Sequence, residues 1–215
     1  MLYAFLVATV LIFLAEIGDK TQLLALVLAT RYKAWQVLLG IFVATLLIHF
    51  LSTLAGGLIG SLIPPWVLTW IAGLLFVGFG VWTLRGDSVD EDEDEAAAAG
   101  FGPIVTSGVA FFLAEIGDKT QIMTMTIAAD PGAALHSFGG FASGWLPAGL
   151  ALPTGAAAFF GVWMGSTLGM VLADGIAILV GSVLGKKLPE KLITRISAVI
   201  FILLGVGLIA GQYVR

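Results

Sequence analysis

One ten-residue stretch occurs twice in this chain of 215 residues. Residues 13–22 read FLAEIGDKTQ, and residues 112–121 repeat the same ten letters without a change. Each copy places a glutamate, an aspartate and a lysine inside a long apolar run. A charged side chain at the centre of a bilayer costs at least about 2.5–3.5 kcal/mol on insertion scales. We therefore expect both copies to face the protein interior, where these groups find partners or a ligand.

The composition indicates that the apolar runs cross a membrane. The chain is 59% hydrophobic and only 11% charged, whereas about a quarter of the residues in a soluble domain are charged. Several runs reach the about 20 residues that a membrane-spanning helix needs. Because lipid offers the backbone no hydrogen bonds, the spans are expected to be helical, which predicts an all-α polytopic membrane protein. The absence of cysteine excludes disulfides and thiolate metal sites.

The apolar runs divide the chain into two halves of three segments each. Residues 1–85 form the first half, and residues 103–215 form the second. Residues 86–102 contain an acidic run, which is typical of a solvated linker and is expected on the cytoplasmic side. The six segments lie at 2–29, 35–60, 66–84, 103–129, 155–184 and 189–210. A loop rich in Gly and Pro, at 130–153, is expected on the outer side of the second half.

Similarity between the halves extends beyond the duplicated motif. Gly60 and Pro64 in the first half correspond to Gly185 and Pro189 in the second, at an offset of 125 residues, whereas the motif copies are 99 apart. The difference between the two offsets corresponds to extra residues in the second half, which lie in the Gly/Pro-rich loop. An odd number of helices per half reverses the second copy in the membrane. The prediction is therefore six transmembrane helices arranged as two inverted three-helix repeats, a plan that recurs in transporters.

The distribution of basic residues predicts the orientation. Seven of them fall at helix ends on one side of the membrane: Arg31, Lys33, Arg85, Lys186, Lys187, Lys191 and Arg195. Arg215 alone falls on the other side. By the positive-inside rule the first side is cytoplasmic, and both termini face outward. No basic region or cleavage site precedes Glu16, so the first segment is expected to be a retained helix rather than a signal peptide.

In a continuous helix the polar residues of each motif would share one face. Glu16, Asp19 and Gln22 are spaced three residues apart, as are their counterparts in the second copy. Apposing the two copies would unite four carboxylates, which we predict to be metal ligands: Glu16, Asp19, Glu115 and Asp118. The hydroxyls and amides that would support them belong to Thr21, Thr120, Gln22 and Gln121. Such an all-oxygen set suits Ca²⁺, Mn²⁺ or Mg²⁺.

Two glycines stand at the centre of the motif copies. Gly18 and Gly117 each directly precede the aspartate. A glycine at this position leaves room for close approach of another helix, and it also permits a local opening of the backbone. Either arrangement is compatible with the sequence.

The formal charge of the motifs suggests how such a site would work. Four carboxylates together with Lys20 and Lys119 leave a charge of −2, which one divalent cation or two protons would neutralise. The hypothesis is that the same carboxylates hold the cation and the protons in turn. A structural alternative pairs each glutamate with the lysine four residues later, as a packing device. That alternative leaves Asp19 and Asp118 without partners, and ionisable residues within a membrane are functional by default.

Two further polar residues lie in apolar segments. His49 is in the second segment and Asp174 in the fifth, and they correspond at the 125-residue offset. We predict a proton relay or a second site at these positions. The alternative for His49 is an ordinary buried histidine that hydrogen-bonds to a neighbour.

The doubled E-x-G-D-K-T motif resembles that of the GDT-type cation/proton exchanger family. Each copy begins a three-helix half, and an acidic linker joins the halves, as in that family. The family includes Golgi manganese/calcium transporters and bacterial manganese exporters. The resemblance implies export of Mn²⁺, or of Ca²⁺, from the cytosol in exchange for protons by alternating access. It places the acidic residues of the family's motif at Glu16, Asp19, Glu115 and Asp118, and similarity to the short bacterial members implies the plasma membrane.

Other functions fit the sequence less well. An anion transporter would need positive charge at the site, and an amino-acid transporter on a related scaffold remains an alternative. An intramembrane aspartyl protease is disfavoured because each copy reads E-I-G-D rather than G-x-G-D. A metal-dependent hydrolase would need a substrate-binding region that the chain does not display. No catalytic residue and no cofactor are expected. The expected partners are a divalent cation, protons and the lipid bilayer, without nucleic acid, and the sequence is compatible with a homo-oligomer.

Overall fold

The computed structural model describes residues 1–85, 102–132, 155–184 and 190–211. Its helices, in chain order, are α1 (Leu2–Glu16), α2 (Lys20–Arg31), α3 (Ala34–Leu62), α4 (Pro65–Arg85), α5 (Pro103–Glu115), α6 (Lys119–Ala129), α7 (Gly155–Leu184) and α8 (Glu190–Gly211). The described residues contain no strand, so the all-α prediction is confirmed. The acidic run and most of the predicted loop at 130–153 lie outside the described residues.

Two of the described helices are long and apolar enough to cross a membrane. They are α3, with a mean hydropathy of 2.3, and residues 155–181 of α7, with a mean hydropathy of 1.6. α1 and α2 are long and apolar enough only when taken together; they are bent by 78° at the break between them, which fits one broken span or a re-entrant loop. Both long helices expose rows of large apolar side chains, including Leu47, Leu51 and Leu58 on α3. Apolar surface on this scale is typical of helices that face lipid.

Of the two arrangements that the motif glycines allow, the structure has the local opening of the backbone, and neither motif copy is a continuous helix. α1 ends at Glu16 and α2 begins at Lys20, and the second copy breaks in the same way between α5 and α6. The cause is the glycine in each copy: Gly18 has φ 81° and Gly117 has φ 80°, a left-handed conformation that residues with a Cβ rarely adopt. Consequently Glu16 and Asp19 do not lie one turn apart on one helix face. They flank the break, with Asp19 as the N-cap of α2.

Each motif copy is covered by the long helix of the other half. α1 and α2 pack on α7, whereas α5 and α6 pack on α3, and α4 packs on α8. The central residues of this packing are α1's Ala8 and Ile12, α3's Ile41 and α5's Phe111, all of which are fully buried. The acidic side chains at both breaks are therefore buried in the helix bundle, whereas Ile116 and Gly117 of the second break are exposed.

The contacts of the long helices repeat between the halves. A Cβ on Gly40 would lie 2.5 Å from the carbonyl oxygen of Ile104, and a Cβ on Gly165 would press against the carbonyl oxygen of Phe5. Gly40 and Gly165 are 125 residues apart, and Phe5 and Ile104 are 99 apart. These offsets are the ones that relate the two halves in sequence. The duplication is therefore visible in tertiary contacts as well as in the motif.

The close approach at Gly40 predicts different results for two glycines on the same helix. A Cβ at Gly40 would lie 2.5 Å from the Ile104 oxygen and 2.8 Å from the Gly108 nitrogen, whereas a Cβ at Gly57 would meet nothing within 4 Å. We expect Gly40→Ala to destabilise the protein by about 1–3 kcal/mol, because backbone atoms cannot move aside cheaply. Gly57→Ala, the control, should leave stability nearly unchanged.

Thermal unfolding of the two purified variants in detergent is the measurement. A melting temperature for Gly40→Ala equal to that of Gly57→Ala would contradict the packing described between α3 and α5.

Candidate metal centre

The site is built from the two helix breaks. Glu16 and Glu115 are the last residues of α1 and α5, and Asp19 and Asp118 precede α2 and α6 as N-caps. The four carboxylates thus flank the breaks. Helix N-termini favour negative charge, because the first backbone N–H groups of a helix lack partners within it.

The glutamines of the motif hold the breaks in shape. The Gly18 N–H donates a hydrogen bond to Oε1 of Gln22, at 2.9 Å, and the Gly117 N–H donates to Oε1 of Gln121, at 2.8 Å. A backbone donor that the break would otherwise leave unpaired is satisfied in each copy. Both glutamines therefore support the break itself.

Three of the four predicted carboxylates come together. Glu16, Asp19 and Glu115 each offer an oxygen within 4.8 Å of the other two, and all three side chains are buried. Asp118 is also buried, with 8% of its surface exposed, but it lies outside this cluster. The cluster thus takes two acids from the first motif copy and one from the second.

The motif threonines each hold one oxygen of a glutamate. The Thr21 hydroxyl donates to Oε1 of Glu16, and the Thr120 hydroxyl donates to Oε2 of Glu115 at 2.7 Å. The second oxygens, Oε2 of Glu16 and Oε1 of Glu115, are buried and have no hydrogen-bond partner among the described residues. Each glutamate is therefore oriented through one oxygen while the other is open to a ligand.

The motif lysines do not form the intrahelical pairs that their spacing suggests. Within the described part of the chain the recorded ion pair joins Lys119 to Asp19 of the other copy, with Nζ 2.5 Å from Oδ1. Because of the break, the glutamate and the lysine of one copy belong to different helices and are no longer neighbours one turn apart. Lys20, the counterpart of Lys119, is partly exposed. The interpretation of the motif as two local ion pairs is therefore wrong. That interpretation left Asp19 without a partner, whereas Lys119 pairs with it.

Asp174 covers the first break. It is fully buried on α7, and neither of its oxygens has a hydrogen-bond partner among the described residues. Nε2 of Gln22 donates to the carbonyl oxygen of the adjacent Ala173, at 3.2 Å, which ties this part of α7 to the first motif. Asp174 is close enough to Asp19 and Glu16 for their charges to interact.

His49 occupies the matching place opposite the second break. Along α3 it lies between Gly40, which abuts Ile104, and Gly56, which abuts Met125. This register brings His49 level with the break between α5 and α6. Its imidazole is fully buried, and neither ring nitrogen has a hydrogen-bond partner among the described residues. The alternative of an ordinary hydrogen-bonded core histidine is therefore not what the structure shows.

The arrangement is suited to binding a cation. Five acidic side chains and one lysine are buried within the described residues: Glu16, Asp19, Glu115, Asp118, Asp174 and Lys119. Buried charge of one sign is stable only when ions or protons neutralise it. The donors are oxygens, as hard divalent cations require.

Two features of the site carried no sequence signal. The ion pair between Lys119 and Asp19 and the position of Asp174 beside the first motif both depend on how the halves pack. Only the glycine in each copy hinted at the break from which these contacts follow.

The fold and the site together define the class of protein: a helical membrane protein with a buried cluster of acids at two helix breaks. Comparison with known families agrees with this class. The family described as "Divalent cation/proton antiporter GDT1" matches residues 4–91, 103–158 and 148–214. The chain belongs to this family, which is a family of transporters.

Individual relatives match over most of their length. A candidate manganese exporter of Vibrio cholerae is 37% identical over 195 residues, which cover 90% of this chain and 84% of the relative. A GDT1-like protein of Synechocystis sp. is 29% identical over 225 residues, covering 96% of both chains. GDT1-like protein 5 of Arabidopsis thaliana is 26% identical over 242 residues, covering 96% and 95%. No solved structure matches the chain significantly.

Proposed function

We propose that the protein exports a divalent cation from the cytosol in exchange for protons, with Mn²⁺ as the preferred ion. The observation that carries this proposal is the cluster of Glu16, Asp19 and Glu115 at two helix breaks, in a member of a divalent cation/proton antiporter family. The choice of Mn²⁺ over Ca²⁺ is supported by the name of the Vibrio cholerae relative. An all-oxygen cluster by itself suits both ions.

The site residues have distinct roles in this proposal. Glu16, Asp19 and Glu115 coordinate the cation, with Thr21 and Thr120 orienting the glutamates. Asp118 is the acid of the second copy that joins the site when the halves move. When the cation leaves, protons take its place on the same carboxylates, because a cluster of bare acids in a low dielectric is unstable.

Asp174 and His49 are the residues of the long helices that face the site. Asp174 is proposed to add a further carboxylate beside Glu16 and Asp19. His49 is proposed to receive or release protons beside the second break, since its imidazole has no hydrogen-bond partner among the residues that the structure describes. Because one position is an acid and the other an imidazole, the two halves are chemically different at matching places.

Alternating access is proposed to follow from two inverted three-helix repeats. The matching contacts of Gly40 with Ile104 and of Gly165 with Phe5 support a two-fold relation between the halves. Six membrane crossings require α1 with α2, and α5 with α6, each to form one broken span. Broken helices whose ends meet a substrate near the middle of the bilayer are a recurring feature of secondary transporters.

The protein is proposed to reside in the plasma membrane with both termini outside the cytoplasm, because its basic residues fall on one side. The chain has no cysteine, so single thiols can be placed at exposed positions on the two sides. We expect a membrane-impermeant maleimide to label Leu2→Cys in intact cells and Lys33→Cys only after permeabilisation. Labelling in the opposite pattern would reverse the proposed orientation.

Exchange can be measured directly in liposomes that contain the purified protein and a trapped pH dye. An inward Mn²⁺ gradient should drive Mn²⁺ in and protons out, so that the lumen becomes alkaline. Protein-free liposomes and liposomes with a protonophore are the controls. Mn²⁺ uptake without proton movement, at any imposed pH gradient, would reject exchange.

Neutral substitutions of the cluster acids should weaken binding. We expect Glu16→Gln, Asp19→Asn and Glu115→Gln each to lower the Mn²⁺ affinity by about ten- to a hundredfold, because each removes one charged ligand. Asp118→Asn should affect equilibrium binding less than it affects transport.

Asp130→Asn is a matched control, since Asp130 lies about 16 Å beyond Lys119 along α6. Calorimetric titration of Mn²⁺ into each purified variant is the measurement. Cluster variants that bind as well as Asp130→Asn would show that the motif does not bind the cation.

A further inference from the structure

The two motif lysines have the same sequence neighbours but different surroundings. Lys119 is 6% exposed, and its ammonium contacts Asp19 across the interface between the halves. Lys20 is partly exposed, and no ion pair joins it to a carboxylate of the described residues. The motif copies are identical over ten residues, so this difference reflects the tertiary surroundings of each copy rather than the motif itself.

The position of Lys119 makes it a competitor for the site. Asp19, its partner, is one of the three clustered carboxylates. A cation that coordinates Asp19 must share this carboxylate with the ammonium or displace it. A lysine has a flexible four-carbon stem, so its charge can move several ångströms without any movement of the backbone.

Asp118 is the counterpart of Asp19 in the second motif copy. Its side chain is buried, and its Oδ2 has no hydrogen-bond partner among the described residues. The pair of Lys20 with Asp118 is the counterpart of the pair of Lys119 with Asp19 under the 99-residue offset. The close contacts of Gly40 with Ile104 and of Gly165 with Phe5 also match under the offsets that relate the two halves.

We propose that Lys119 and Lys20 act in turn as the internal counter-ion of the empty site. In the conformation described here Lys119 neutralises Asp19. In the opposite-facing conformation Lys20 neutralises Asp118, and Lys119 takes the partly exposed position. The lysines are positioning residues that act through the aspartates, and the transported cation displaces them. This inference rests on the proposed function, since it concerns the same site.

This role has a physical basis in the cost of buried charge. An aspartate that loses its cation inside the bundle would be left uncompensated, which strongly disfavours any movement through that state. A tethered ammonium replaces the departing cation at once. The empty transporter can then return without holding a bare carboxylate in its interior.

The alternation can be tested by cross-linking, because the natural chain has no thiols. Two variants, Asp19→Cys/Lys119→Cys and Lys20→Cys/Asp118→Cys, are treated with a short bifunctional thiol reagent in lipid nanodiscs, with and without Mn²⁺. We expect both pairs to cross-link, because each pair is in contact in one of the two conformations. A Leu2→Cys/Lys119→Cys control should not cross-link. Cross-linking of the 19–119 pair alone, under all conditions, would overturn the alternation.

The competition with the cation can be tested with Lys119→Gln and Lys20→Gln. We expect Lys119→Gln to bind Mn²⁺ about tenfold more tightly, because a competing charge is removed, while transport slows by a similar factor. Lys20→Gln should also slow transport. Lys119→Arg and Lys20→Arg, which retain the charge, should restore it. A merely structural lysine would instead lose binding and melting temperature together, and weaker Mn²⁺ binding by Lys119→Gln would overturn the proposal.

The two proposals fail in different ways. Absence of divalent cation flux through the wild-type protein would reject the proposed function. Normal wild-type flux with Lys20→Gln at the wild-type rate would reject the lysine exchange alone. The cross-linking pattern is measured without transport, so it reports on the alternation whichever ion is carried.

Discussion

The cost of holding carboxylates away from water governs the arrangement of this protein. Glu16, Asp19 and Glu115 are buried within 4.8 Å of one another, where mutual repulsion and the loss of hydration both oppose ionisation. The structure offsets that cost with a small set of donors. Thr21 and Thr120 each hold a glutamate, and the ammonium of Lys119 holds Asp19. The donors do not satisfy every oxygen, and the oxygens left over give the site its capacity for a cation.

The helix breaks make this arrangement geometrically feasible. An unbroken helix would place Glu16 and Asp19 almost one turn apart, with their backbone groups satisfied within the helix. The positive φ of Gly18 instead separates two helix ends and leaves both acids at the gap. Gln22 then supplies the acceptor that the Gly18 N–H needs. One glycine and one glutamine per copy thus divide a helix in two and leave a carboxylate at each side of the break.

Each break is covered by a helix from the other half, and this packing links the two breaks. α7 of the second half covers the first break, and α3 of the first half covers the second. Close contact requires glycines at the crossing points, such as Gly40 and Gly165. Any movement of one half therefore changes the surroundings of both breaks. A site that opens to one side of a membrane at a time requires such coupling. The same coupling would let a movement of the halves exchange the surroundings of Lys20 and Lys119.

Much of the architecture follows from the sequence alone. Apolar runs predicted helices at 35–60 and 155–184, and the structure has them at Ala34–Leu62 and Gly155–Leu184. These runs are reliable guides because a membrane-spanning helix needs a minimum apolar length. The duplication also pointed to the acids that flank the two helix breaks and to the correspondence of His49 with Asp174. The sequence allowed the break at the motif without deciding it, because three-residue spacing is equally compatible with a continuous helix.

What only the tertiary structure decided is the difference between the two copies. Ten identical residues cannot specify by themselves that Lys119 is buried and Lys20 partly exposed, or that Asp118 lies outside the cluster that Asp19 joins. These outcomes depend on what packs against each copy. Asp174 of α7 is adjacent to the residue that Gln22 of the first copy contacts, whereas His49 of α3 lies level with the second break. The sequence determined which groups are buried, and the packing of the halves determined which of them meet, because the partners are about a hundred or more residues apart along the chain.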